Sequence, residues 1–310
     1  MTMRNIRNFL LAPGLLALAA SSLFAQPGQS GLAFLKLGIS GRGVAMGDAM
    51  SGVVAGAAAT HFNPAGLLPA PGTSASSELM FMHKEWIQDT RTEFLGAAII
   101  LDEDQALGGA VTTTTVSDIE VRLRPGPAEG NFTARDLSAG LSYARVITPE
   151  VRVGLTAKIL YQKIYVDDAS GFAVDVGGMW TTPVENLTVG VALANLGSMG
   201  TLREEKTKLP ALVRVGPGYR LLLNEGEMEL VGAADYVRIF PESRNYLNAG
   251  GEFTFNRTFS ARAGYQFGSE GRGLSAGLGL RYGFISVDYG YAKLSADLGN
   301  GHTFSLAIAL

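Results

Sequence analysis

The chain has 310 residues, of which 47% are hydrophobic and 17% are charged, and its formal net charge is −3. A charge this small and mixed gives no support to a nucleic-acid partner, which requires a basic surface. The sequence contains no cysteine, which excludes disulfides, thiolate metal sites and thiol nucleophiles together.

The first residues have the pattern of a secretory signal peptide. Two arginines precede an apolar run from Phe9 to Ala20, and small residues follow it. The run is shorter than the roughly 20 residues that a membrane-spanning helix needs, so an anchor helix is the weaker alternative. We therefore predict a signal peptide over residues 1–25 and export to the outer membrane of a diderm bacterium.

Residues 26–72 lack the alternation of the rest of the chain and contain the motif Asn63-Pro64-Ala65-Gly66. Asn63-Pro64 favours a turn and Gly66 a second bend. Alanine, methionine and valine recur at helical spacing before them. We predict a short helical hatch here, which folds back under or into the mouth of the domain that follows, with Asn63 bonded to its own backbone.

From about residue 73 to residue 310 the sequence consists of fourteen short segments in which apolar residues alternate with small or polar ones. In Leu274–Tyr282, for example, leucine, alanine and tyrosine form one face, while serine, glycine and arginine form the other. Period-two alternation puts one face of a strand in an apolar medium. The predicted strands are 73–83, 92–101, 105–116, 137–147, 151–163, 171–182, 186–196, 209–222, 227–238, 244–255, 258–267, 271–282, 284–292 and 302–310.

The connections between these strands alternate between tight turns and longer loops. Tight turns such as 102–104, 148–150 and 256–257 alternate with longer loops such as 117–136 and 197–208. Outer-membrane barrels have short periplasmic turns and longer extracellular loops. We therefore predict an all-β fold, a 14-stranded antiparallel transmembrane β-barrel over residues 73–310, which starts and ends at its periplasmic end.

The strand face opposite the bulky apolar residues carries many of the forty glycines and most of the charges. An arginine or lysine facing lipid near the midplane would cost about 2–4 kcal/mol, so these charges face the lumen. Tight turns set Glu252 opposite Arg262 and leave Arg281 within cross-strand reach of Asp288. We interpret them as pairs that hold the wall and a plug, with a polar pathway as the alternative; the lumen is plugged or open to a small ligand.

The Asn-Pro-Ala-Gly segment ahead of a 14-stranded barrel resembles the fatty-acid transporter FadL and its relatives. The runs over 31–38, 41–49, 63–67 and 298–306 resemble more closely the PorV/PorQ family. This resemblance implies a FadL-like outer-membrane barrel linked to the type IX secretion system. Such proteins bind secreted cargo or other components of the secretion system and catalyse no reaction.

Two functions therefore remain open. The first is the binding of partner proteins through the outer loops, with Arg122, Arg124 and Phe132 on one loop and Leu202 and Arg203 on another. The second is transport of a hydrophobic small molecule, in which the hatch moves to release the ligand sideways or down. The three histidines lack metal-ligand spacing, and we expect no catalytic group, metal or cofactor.

Overall fold

The computed structural model describes residues 30–70, 76–122, 124–269, 271–295 and 299–310, so the predicted signal peptide and Leu298 lie outside the described residues. The fold is all-β, with a few short helices near the start, which confirms the predicted fold class. Among the described residues, no helix is both long enough and apolar enough to cross a membrane.

Fourteen antiparallel strands form one closed barrel, which is sealed where its first strand pairs with its last. Two very short strands, β8 (Thr201–Leu202) and β9 (Glu205–Lys206), form a separate hairpin between the seventh and eighth barrel strands. The barrel strands are β1 (Glu78–Glu85), β2 (Thr90–Ile100), β3 (Gln105–Val121), β4 (Gly130–Thr148), β5 (Val151–Ile164), β6 (Asp167–Thr181), β7 (Leu187–Met199), β10 (Leu212–Leu223), β11 (Met228–Ile239), β12 (Arg244–Phe255), β13 (Phe259–Phe267), β14 (Arg272–Tyr282), β15 (Ile285–Leu294) and β16 (Asn300–Ala309).

The outward face of the barrel is apolar, and a row of charges bounds it. Leu141 is 76% exposed and Ile159 66%, and both point away from the lumen. Arg135 pairs in register with Lys163, and Lys163 with Asp168, so exposed charges line up across neighbouring strands. An apolar belt with a charged border fits a lipid bilayer. We call this border the charged row.

The two ends of the barrel differ in the length of their connections. At the end where β1 begins and β16 ends, the connections between strands are all short; they are 101–104, 149–150, 182–186, 224–227, 256–258 and 283–284. The opposite end has the 200–211 connection and a hairpin made by the long strands β3 and β4. By the turn-length rule the first is the periplasmic, or inner, end and the second is the outer end.

Two predicted outer loops are shorter than expected. The predicted loop over 117–136 is mostly strand, because alternation continues past a bulge between Val116 and Ile119, where Asp118 has a φ of 58°. The predicted loop over 164–170 is a turn between Ile164 and Asp167. The polar residues of both regions favour loops in the sequence analysis. Beyond the bilayer, however, both faces of a strand meet water, so a strand there can be polar on both faces.

The lumen is filled by residues 30–70, which we call the hatch. Its short helices are 3-10 turns at Ala33–Lys36, Gly56–Ala58 and Pro64–Leu67 and two α-helical turns, α1 (Gly41–Ala45) and α2 (Ala59–Phe62). Met50 and Phe62 of the hatch are almost fully buried, in one core with Met82 and Phe94 of the wall. The hydrophobic core therefore lies between the hatch and the barrel, and a closed barrel supplies the rigid frame.

Candidate functional site

Asn63 joins the hatch to itself and to the barrel wall. Its side chain is fully buried, and its Oδ1 accepts from the N–H of Ala65 at 3.2 Å, which starts the 3-10 turn at Pro64. Its Nδ2 donates to the carbonyls of Ser51, at 3.0 Å, and Gly178, at 3.1 Å. Both donors of the amide are therefore used. The motif fixes the fold of the hatch and seats it on β6.

Inward-facing glycines form a seat for the hatch backbone. A Cβ added to Gly190 would collide with the carbonyl of Ser51, and one added to Gly154 with the backbone of Pro64. Equivalent glycines occur on neighbouring strands, and each would collide with the hatch if it had a side chain. We call this set the glycine belt: Gly154, Gly177, Gly190, Gly218, Gly250, Gly264, Gly277 and Gly290. The absence of side chains lets the wall and hatch meet backbone to backbone.

A buried charge network ties α1 to the inner part of the wall. Arg42 donates two hydrogen bonds to Glu252, both at 2.9 Å. Glu252 also accepts from Arg262, which faces it in register, and Arg262 reaches Asp288 at 2.7 Å. Opposite charges packed this closely offset the cost of their burial. The network holds the hatch and three strands together.

The predicted pairing of Arg281 with Asp288 is wrong. Arg281 is exposed and donates to Ser286 at 3.0 Å, while Asp288 bonds to Arg262 instead. Gly279 explains the exchange, because it lies directly opposite Asp288 and has no side chain to separate Asp288 from Arg262. Arg262 can therefore reach across β14 to β15.

Further polar contacts hold the hatch along its length, and sequence reasoning missed them. Asp235 accepts from the N–H groups of Met50 and Ser51, each at 2.9 Å, and from the Ser51 hydroxyl at 2.8 Å. Near the inner end Arg152 donates to the carbonyl of Leu68 at 2.7 Å. These contacts could have been suspected from an acidic or basic residue on the lumen face of an otherwise apolar strand, such as Asp235 in β11.

The space that remains inside the barrel is small. A cavity of about 20 Å³ lies between the hatch and strands β2 to β5. His61 lines it, and among the described residues its Nε2 has no hydrogen-bond partner. Lys158 lines it too but is paired with Asp175 at 2.8 Å. Such a cavity holds about one water molecule and is closed to larger solutes.

One part of the barrel wall has a gap in its strand pairing and is lined by small residues. The pairing of β10 with β11 skips from Val215–Tyr236 to Gly218–Ala233, and Pro217, which has no N–H to donate, lies in the gap. We call residues 216–218 and 232–234 the window. Outside it lies an apolar groove of about 700 Å³ that faces the lipid. Inside it the hatch backbone at Gly52 lies against Gly218.

The predicted partner-binding residues lie at the outer end, on two neighbouring hairpins. Arg122 bonds to Glu120 and to the carbonyl of Gly126 at 2.6 Å, and Arg124 is exposed. The ring of Phe132 lies 5.3 Å from that of Tyr165 on the β5–β6 turn. On the other hairpin Arg203 forms an ion pair with Asp167, and Leu202 packs beneath it against a buried apolar cluster.

The architecture can now be compared with known proteins. The sequence matches no family model, and no curated protein matches it. Among solved structures, the toluene transporter TbuX of Ralstonia pickettii has a TM-score of 0.60 at 12% identity, over 88% of this chain and 97% of that one. The CymD monoaromatic hydrocarbon channel has 0.60 at 13%, over 88% and 96%. A Pseudomonas aeruginosa FadL homologue has 0.53 at 11%, over 87% and 98%.

These likenesses cover nearly the whole of each solved structure, at identities that establish the fold. The chain therefore has the fold of the FadL-like outer-membrane barrels. The resemblance of the sequence to FadL agrees with this fold, whereas the PorV/PorQ resemblance gains no support from these structures.

Proposed function

We propose that the protein passes small hydrophobic molecules across the outer membrane. The observation that carries the proposal is the hatch, residues 30–70, seated inside a barrel whose fold is shared with hydrocarbon channels. The sequence alone favoured partner binding over transport, and this proposal places transport first. The domain limits and the signal peptide remain part of this proposal.

The arrangement of contacts favours release of the ligand sideways. At the inner end the hatch is tied by Arg152, by the bond between Glu78 and the N–H of Ala57 at 2.9 Å, and by the Arg42–Glu252 pair. Downward release would break these buried contacts together. At the window only small side chains and an interrupted ladder separate hatch from lipid. Sideways release requires hatch residues 50–54 to move, and for this Asp235 must release Met50 and Ser51.

The direct test measures uptake of radiolabelled toluene by cells that lack other outer-membrane hydrocarbon channels. We expect expression of the protein to raise the initial uptake rate several-fold above that of cells expressing a barrel of unrelated fold. Uptake of a hydrophilic sugar of similar mass should not rise, because the hatch packs against the inner wall and the groove outside the window is apolar. Equal toluene uptake with and without the protein would overturn the proposal.

Partner binding is a second candidate, and the outer hairpin favours it. Beyond the charged row, β3 and β4 extend for up to about 20 Å at roughly 3.3 Å per residue, and Phe132 packs with Tyr165 at their base. Secreted cargo proteins or other secretion-system components are the partners implied by the PorV/PorQ resemblance. Replacing residues 118–134 by a two-residue turn should abolish co-purification of such partners while the barrel still inserts. Unchanged co-purification would contradict this candidate.

A further inference from the structure

The start of the hatch lies at the outer end of the barrel. We call residues 30–37 the strap. The N–H of Gly31 donates to the carbonyl of Lys208 at 3.0 Å, in the connection that leads into β10. Ser30 and Lys36 both donate to Glu242, which lies between β11 and β12. Both connections belong to the outer end and are neighbours on its rim, so the two ends of the strap are held together at one side of the mouth.

A small apolar core lies beneath the strap. Leu32, Phe34 and Leu35 are each no more than 5% exposed. They pack against wall residues near the outer ends of β5, β6, β7 and β10, which are Leu160, Ala169, Ala173, Met199 and Leu209. Burial of three large side chains is the main force that holds the strap down.

The other end of the hatch lies at the inner end. Arg152, near the start of β5, binds the carbonyl of Leu68, and Glu78 at the start of β1 binds the N–H of Ala57. Between these points and the strap, the hatch touches the glycine belt. The hatch therefore begins at the outer end and finishes at the inner end, with a turn back toward the outer end at Asp48, which pairs with Arg272 at the start of β14.

We infer that the strap is a lid at the cell surface: the hatch enters the barrel from outside, and Glu242 pins both ends of the strap at the rim of the mouth. Glu242 is the shared acceptor of a hydroxyl and an ammonium group from opposite ends of the strap. Loss of that acceptor removes a bond from each end at once, which leaves the apolar burial and the bond from Gly31 to Lys208 to hold the strap. This inference concerns topology and closure, and it holds whatever the barrel transports.

The chain has no cysteine, so single cysteines can be labelled without background. We would treat intact cells with a membrane-impermeant maleimide and compare Ser30→Cys with Ala55→Cys, which is exposed near the inner end. Glu129→Cys on the outer hairpin is the positive control. We expect labelling at positions 30 and 129 in intact cells, and at position 55 only after the outer membrane is permeabilised. Labelling of Ser30→Cys only after permeabilisation would overturn the inference.

The pinning role of Glu242 is tested separately. In a Phe34→Cys protein, adding Glu242→Gln should speed maleimide labelling of the buried cysteine by about tenfold, because hydrogen bonds to a charged acceptor are lost. Glu205→Gln, on the exposed β8–β9 hairpin, is the matched control and should leave the rate unchanged. Equal rates with Glu242→Gln and Glu205→Gln would show that the strap is not held by Glu242. Failure of toluene uptake would leave both results unaffected.

Discussion

At the scale of the residue, glycine decides how the lumen is filled. The belt glycines face the hatch backbone, whereas other glycines of the same strands face outward into open space. Gly232 is an example, since a Cβ there would meet nothing within 4 Å. Glycine therefore has two roles in the same strands. An added side chain would collide with the hatch at a belt position, whereas it would meet open space at an outward-facing position.

This contrast gives a matched pair of substitutions. Gly190→Ala should destabilise the protein by about 1–3 kcal/mol, because the new methyl group overpacks the contact with Ser51. Gly232→Ala makes the same chemical change on the lipid face and should be neutral or slightly stabilising. The measurement is the urea concentration at which half of the barrel is unfolded in detergent, detected by the change in its electrophoretic mobility. Equal midpoints for the two variants would contradict the role of the belt.

Replacement of Asn63 should loosen the hatch. Asn63→Ala leaves the carbonyls of Ser51 and Gly178 without the donor they have now, at a cost of about 1–3 kcal/mol. We expect the hatch to become sensitive to protease added from the inner side while the barrel stays folded. Asn131→Ala, on the exposed outer hairpin, should change nothing. Unchanged uptake of every hydrophobic substrate by Asn63→Ala would also count against a moving hatch.

At the scale of the element, the strands were largely predictable and the hatch was not. The predicted strand over 151–163 corresponds to β5, and the predicted turn puts Glu252 opposite Arg262 in the observed register. The alternation of apolar residues predicts which face of a strand meets lipid, and the length of a turn predicts the register of the two strands it joins. Neither pattern predicts which residues contact the inner face of the wall. The contacts of Asp235 and Arg152 join groups far apart in sequence, so no local pattern could show them.

The strap should respond to acid. Burial alone would raise the pKa of Glu242, but hydrogen bonds from Lys36 and Ser30 outweigh it, and the pKa lies below the ordinary 4.5. A lowered pKa means that the carboxylate stabilises the closed strap above about pH 4.5 and that this contribution is lost as pH falls through the shifted value. Maleimide labelling is slow in acid, so protease cleavage of the strap at pH 3 and pH 6 is the measurement. Glu242→Gln should remove the difference between the two pH values.

At the scale of the whole molecule, the barrel is a rigid frame with one weak seam. Four other neighbouring pairs of barrel strands contain a bulge or register shift, as at Val174–Val176 between β6 and β7, but none of these irregular positions holds a proline. The β10–β11 seam combines a proline, an interrupted ladder and small side chains on both sides. Motion that leaves the rest of the barrel closed is therefore concentrated at the window.

A cross-link tests this. Val215 and Tyr236 face each other at the edge of the window, and a Val215→Cys/Tyr236→Cys protein can be oxidised to a disulfide that locks the seam. We expect toluene uptake to fall at least several-fold on oxidation and to recover on reduction. Ala263→Cys/Ala276→Cys locks the β13–β14 seam, away from the window, and should have no effect. Equal uptake by both oxidised proteins would exclude the window as the route.

The glycine belt also constrains the order in which the molecule is made. Its eight glycines lie on eight different strands and meet the hatch at contact distance, so no clearance is left for a chain with side chains to be threaded through a finished cylinder. The hatch must already lie in place while the sheet is still open. Assembly is then a wrapping of the sheet around its own first residues, and a belt glycine replaced by a bulky residue would stall that closure rather than merely weaken the finished barrel.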